Sequence, residues 1–150
     1  MLNDDILVGG EESGGIGVTG HIPERDGIAN SLLLVEAMAE AQKPLGVLFE
    51  SFEAETGWKH SYDRLDLHLK GNELKDAVMA SLQTPPQTIL DRQLKSTETL
   101  DGVKLNLSGN AWLMFRASGT EPVLRIYCEA GSDAEVAELL QWSDSFVQSL

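Results

Sequence analysis

Cysteine is nearly absent. The 150-residue sequence holds one, Cys128, so no internal disulfide can cross-link it. Leu124 and Ile126 alternate with Cys128 in the pattern of a buried strand face, and this usage fits a reducing compartment. Basic residues are scarce as well: eleven lysines and arginines stand against twenty-four aspartates and glutamates, a net charge of −13. Such a surface repels nucleic acid, anionic lipid and phosphorylated metabolites at long range, so neither nucleic acid nor membrane is an expected partner and any anion site must be local. No apolar run approaches the ~20 residues that cross a bilayer. The first fifteen residues carry Asp4, Asp5, Glu11 and Glu12 where a secretory signal would be basic. A cytoplasmic location is expected. His21, His60 and His68 show no metal-ligand spacing with cysteine or carboxylate, and no metal site is expected.

What is present suffices for one domain and part of another, with 42% hydrophobic residues to build a core. The acidity is uneven. Residues 1–57 hold eleven acidic and two basic residues, whereas 58–150 hold thirteen and nine. Ile6-Leu7-Val8 reads as a short buried strand with no preceding element to pair with, and seven glycines within 9–27 argue against regular structure there. A helix is expected from Asp26 to about Gln42, then a second opening at Pro44, with Leu45, Leu48, Phe49 and Phe52 on one face and Gly57 at its end. The expected division is 1–43, a truncated α/β fragment; 44–57, a linker helix; and 58–150, a complete domain.

In that domain Leu65, Leu67 and Leu69 alternate with polar residues as a half-buried strand. Asn72 can cap a helix bearing Leu74, Ala77, Val78, Ser81 and Leu82, stopped by Pro85-Pro86. Three alternating runs follow, on Val103 to Leu107, Ala111 to Phe115 and Leu124 to Cys128, and Ser132 with Glu135 forms a capping box for a last helix. The fold class is α+β: a four-stranded antiparallel sheet with two helices on one face.

Two loops carry candidate chemistry. Arg116-Ala117-Ser118-Gly119-Thr120-Glu121-Pro122 offers a guanidinium, two hydroxyls and successive backbone amides, the donors that a phosphate dianion needs. Gly119 would allow a positive φ and a close approach. Strand parity puts Arg116 and Arg125 on the face away from the core, where they could converge. An ordinary hairpin turn explains the same string. The second loop, Gly9-Gly10-Glu11-Glu12-Ser13-Gly14-Gly15, suits hydrogen bonding to sugar hydroxyls, lacks the ligand spacing of a calcium loop, and reads equally as a solvated acidic loop.

GGEESGGIGVTGHIPERDG followed by an apolar helix resembles the sugar-binding loop of the α-D-phosphohexomutases (phosphoglucomutase/phosphomannomutase), and RASGTEPVLRIYCEA resembles the phosphate-binding loop of their last domain. The two occur in family order over nearly the whole chain. The resemblance implies the end of the family's third domain and all of its fourth. Glu11, Ser13 and Arg25 would contact the sugar; Arg116, Ser118, Gly119, Thr120 and Arg125 would hold phosphate. The phosphorylated serine loop and the magnesium-binding aspartate loop have no counterpart in these residues, so no catalytic residue is expected here. By the same resemblance, a hexose phosphate is the ligand, the missing N-terminal domains of the same enzyme are the partner, magnesium belongs to the full-length parent, and hexose 1,6-bisphosphate is activator and intermediate. The EESGG loop is more similar to enzymes of glucose or mannose phosphates than to glucosamine-phosphate mutases, which are expected to carry Gln for Glu12 and His for Gly15. A phosphoglucosamine mutase of the same family, a stand-alone sugar-phosphate binding module and an acidic interaction domain remain alternatives.

Overall fold

The computed structural model describes residues 6–11 and 15–150, and the chain divides into two units between Trp58 and Lys59. In the first unit β1 (Val8–Gly10) pairs antiparallel with β2 (Ile16–Val18), Val8 opposite Val18. This corrects two expectations. The glycine-rich stretch does contain a strand, because Gly9 and Gly17 lie opposite each other and bonds from Glu11 N to Gly15 O (2.8 Å) and Thr19 N to Leu7 O (2.9 Å) extend the ladder. The segment 6–8 is also not buried: Leu7 and Val8 are exposed, and the strand starts at Val8.

Helix α1 (Gly27–Ala41) begins where the carboxylate of Asp26 accepts from the amides of Ile28 and Ala29, both at 3.0 Å, satisfying two of the four unpaired N–H groups of a first turn. It ends at Gln42, in the left-handed region with φ 53°. Helix α2 (Leu45–Thr56) follows, with Pro44 as its N-cap and Gly57, φ 66°, as its C-cap. Neither helix has a fully buried residue, and Leu32, Leu33, Phe49 and Phe52 are exposed.

The second unit contains the core. Strands β3 (Ser61–His68), β4 (Thr88–Ile89), β5 (Arg92–Glu98), β6 (Val103–Leu107), β7 (Trp112–Ala117) and β8 (Val123–Ala130) form one antiparallel sheet in the order β3-β8-β7-β6-β5-β4. The α+β class stands, but the sheet has six strands where the periodicity predicts four. The β4–β5 hairpin accounts for both extra strands. Its turn at Leu90-Asp91 puts Leu90 at φ 53° with no glycine or asparagine to announce it, and β5 has Leu94 as its one aliphatic residue. Helices α3 (Asn72–Ser81) and α4 (Asp133–Gln148) cover one face, where Val78, Leu82, Val136 and Leu139 meet Leu105, Leu113, Phe115, Leu124, Ile126 and Cys128. Phe115 meets Phe146 edge-on at 6.4 Å between centroids, and Trp142 stacks on Phe146 at 5.3 Å. Asn72 opens α3 rather than capping it; Gly71 holds the cap position without a side-chain bond. Ser132 caps α4, and Glu135 reaches back to the amide of Gly131, one residue beyond the expected box. No helix among the described residues is long and apolar enough to cross a membrane.

Candidate functional site

The second-unit site follows from strand parity. Leu113 and Phe115 on β7 and Leu124 and Ile126 on β8 point into the core, which sends Arg116 and Arg125 to the opposite face. The register makes those two arginines direct cross-strand partners. Like charges so placed repel. Part of the charge is answered by Asp101, whose carboxylate lies 3.1 Å from Arg116 Nε. Asp101 reaches it because Gly102, at φ 116°, lets the β5–β6 turn close on β7; a Cβ there would lie 2.4 Å from the carbonyl oxygen of Phe115.

Arg125 is not answered in this way. Among the described residues its buried Nε has no hydrogen-bond partner, a costly state for a charged donor. Other atoms of Arg125 help line a cavity of about 120 Å³, together with Arg116, Ala117, Ser118 and Gly119. Thr120 does not line this cavity; it sits in the adjoining exposed turn.

The turn between the strands is held from below. Ser118 N donates to Val123 O (2.9 Å), Ser118 Oγ accepts from Glu121 N (3.3 Å), and Leu69 N donates to Pro122 O (2.8 Å). Lys75 Nζ, from α3, donates to Ser118 O (2.8 Å) and more weakly to Glu121 O (3.4 Å). The carbonyls of residues 118, 121 and 122 are therefore turned toward the protein body. Among the described residues the amides of Gly119 and Thr120 have no partner within the protein. The expected positive φ at Gly119 is not found: its backbone lies outside the left-handed region, and an added Cβ would meet nothing within 4 Å. Gly119 contributes open access rather than a special turn. Sequence reading missed Lys75 and Asp101. Lys75 had a signal, since it falls with Val78 and Leu82 on the apolar side of α3, where a lysine is out of place unless it has a task.

In the first unit Glu11 and Arg25 come together. Arg25 Nη1 lies 2.8 Å from Glu11 Oε2 and Arg25 Nε lies 3.3 Å from Glu24 Oε1, the bond to Glu11 being the larger cause that holds the guanidinium more firmly protonated than usual. Glu24 is held below the usual carboxylate range, chiefly by the amide of Arg25. Arg25 lies across Gly15, where a Cβ would sit 2.5 Å from Arg25 Cδ. A cavity of about 420 Å³ is bounded by Gly9, Gly10, Glu11, Gly15, Glu24 and Arg25, among others. Ser13 lies outside the described residues.

Comparison with known proteins adds two family matches. Residues 1–56 match the model for phosphoglucomutase/phosphomannomutase, alpha/beta/alpha domain III, and residues 72–141 match that for the phosphoglucomutase/phosphomannomutase C-terminal domain. A phosphoglucomutase/phosphomannomutase of Thermococcus kodakarensis is 28% identical over 94% of this chain, and a phosphoglucosamine mutase of Methanococcus aeolicus is 31% identical over 93%. The chain spans 28% of the length of each. A crystal structure from Thermus thermophilus assigned as a phosphomannomutase superposes with a TM-score of 0.71 at 41% identity, covering 95% of this chain and 26% of that one. A phosphoglucomutase/phosphomannomutase family protein from Burkholderia thailandensis shares the fold, with a TM-score of 0.66 at 20% identity over 95% of this chain and 28% of its own.

Proposed function

Because the chain belongs to the phosphoglucomutase/phosphomannomutase family, we propose that it supplies sugar recognition and the clamp on the non-transferring phosphate in a phosphohexomutase that interconverts hexose 1-phosphates and 6-phosphates. The observation that carries this reading is the buried, unpartnered Nε of Arg125 beside a cavity that Arg116 also lines. A phosphate dianion there would accept from Arg116 and Arg125, from the Gly119 amide and from the Ser118 hydroxyl, with Thr120 reaching it only if the adjoining turn closes over the cavity. It would relieve the repulsion between the facing arginines and give Arg125 the partner that its burial demands.

In the reaction proposed for the whole enzyme, a phosphoserine on another segment gives its phosphoryl to one end of the sugar, the resulting hexose 1,6-bisphosphate reorients, and the serine takes a phosphoryl back from the other end, so that each phosphate in turn occupies this clamp. The clamp contributes binding energy remote from the reacting bond, which orients the other end and holds the sugar in place. Glu11, Ser13 and Arg25 would meet the hydroxyls. The described carboxylates do not fit the magnesium that such a reaction uses: Glu11 and Glu24 are engaged by Arg25, and no group of three His, Cys, Asp or Glu is placed around a common point among the described residues.

Glucose or mannose phosphate is favoured as substrate over glucosamine phosphate by Gly15. The histidine expected at that position in glucosamine-phosphate mutases would displace the Arg25 side chain that now lies over it and reaches Glu11. Titration with glucose 6-phosphate tests the clamp. Affinity should be weak, with Kd of about 1 mM, since one part of the cleft is acting alone. Arg116→Ala should cost about 1.5–3 kcal/mol of it, and Arg116→Lys should recover part, because a point charge does not reproduce a guanidinium fork. Equal affinity in Arg116→Ala would remove the clamp.

A further inference from the structure

Lys75 is one of two buried polar or charged residues among those described, 8% exposed, and the loop motif gives no hint of it. A lysine ammonium is seldom buried without a carboxylate partner. Among the described residues Lys75 has none: its bonds run to the carbonyl oxygens of Ser118 and Glu121. The lysine nitrogen thus lies against the turn, bonded among the described residues to peptide carbonyls rather than to a carboxylate.

The geometry of the peptide unit gives this contact a direction. The carbonyl of Ser118 and the N–H of Gly119 belong to one planar trans peptide and point opposite ways. Drawing Ser118 O toward α3 therefore drives the Gly119 N–H outward. A flipped peptide would present an oxygen where the anion is to sit, and would replace attraction with repulsion. Ser118 N is already fixed to Val123 O, so the preceding peptide is held by the strand and the 118–119 peptide itself by Lys75.

We propose that Lys75 is a positioning residue of the anion site: it sets the orientation of the 118–119 peptide and places a cation behind the turn. The proposal rests on the reading of residues 116–125 as a phosphate clamp. It requires nothing of the first unit.

The test uses the 150-residue chain and inorganic phosphate, read by amide NMR. Lys75→Met keeps the aliphatic stem and removes the donor. Without ligand, the Gly119 amide should move while the amides around Val78 and Leu82 hold their positions. Phosphate affinity, measured on the folded protein, should fall five- to twentyfold. Lys75→Arg, which can donate to the same carbonyls, should return it to within threefold of the parent. A role confined to helix packing would lower the melting temperature of Lys75→Met and leave phosphate affinity unchanged, and that result overturns the proposal.

If Lys75→Met does not fold, the parent protein decides through the Lys75 ammonium 15N resonance. That resonance should shift as phosphate saturates the site, and a fixed resonance at saturation overturns the proposal. If the parent shows no phosphate-dependent shift at Ser118, Gly119 or Thr120, the clamp itself fails and Lys75 loses its role with it. This outcome is distinct from a parent that binds beside a Lys75→Met variant that binds equally well.

Discussion

At the scale of single residues, two glycines and a thiol make separable predictions. Gly102 combines φ 116° with a backbone oxygen 2.4 Å from any Cβ, so Gly102→Ala has neither the conformation nor the space it needs. Urea unfolding should show a loss of at least about 1–3 kcal/mol. Phosphate binding should weaken as well, because the turn that brings Asp101 to Arg116 is displaced. Gly119→Ala is the contrast. Its Cβ meets nothing and its φ is ordinary, so unfolding should be nearly unchanged, and any loss should appear in phosphate affinity alone. Burial pushes the Cys128 thiol from an ordinary value near 9 up to about 12. A thiol raised in the folded state contributes stability that is complete below its unfolded value and is lost as pH rises from about 9 toward 12. At pH 8 a disulfide reagent should leave Cys128 untouched in the native protein and label it fully in urea; rapid native labelling would contradict its burial.

At the scale of elements, the start of α1 depends on one carboxylate. Asp26 is held below the usual range first by the Ala29 amide and then by the His21 ring, 2.8 Å away. A depressed carboxylate supports the helix above its unfolded value and loses that support as pH falls through the lower folded value. Protection of the Ile28 and Ala29 amides, relative to their intrinsic exchange rates, should therefore fall on acidification below about pH 4, and Asp26→Asn should flatten that dependence. The helices were legible because their signals are local: Asp26 before an apolar run, Pro44 and Gly57 around α2, Ser132 and Glu135 at α4. The four strands read from alternation, β3, β6, β7 and β8, were legible for the same reason. The β4–β5 hairpin was not, because Leu90 adopts a left-handed conformation without a turn residue and β5 takes its place by pairing with β6. In the candidate site, parity alone placed Arg116 and Arg125 on one face. Lys75 and Asp101 come from distant segments, and tertiary folding alone brings them there.

At the scale of the whole molecule, cohesion is unequal. The second unit contains every member of the buried hydrophobic cluster, whereas α1 and α2 have no fully buried residue. Amide exchange should be slowest in β6, β7 and β8 and much faster along α1 and α2; uniform protection would contradict this division. The 150 residues should not interconvert glucose 1-phosphate and glucose 6-phosphate when supplied with magnesium and glucose 1,6-bisphosphate, since no phosphoserine loop is among them; turnover that copurifies with the chain would refute this. Under the proposed function, a protein of net charge −13 would hold a phosphate dianion between two facing arginines. Local donors can prevail because charges beyond about 8 Å are largely screened at physiological salt. The most direct measurement is the 15N resonance of the Arg125 Nε–H during titration with inorganic phosphate. A clamped phosphate should give a saturable shift with a Kd of about 1 mM, as this donor, buried and unpaired among the described residues, acquires a partner. An Arg125 Nε signal that stays fixed at tens of millimolar phosphate in the folded protein would contradict it.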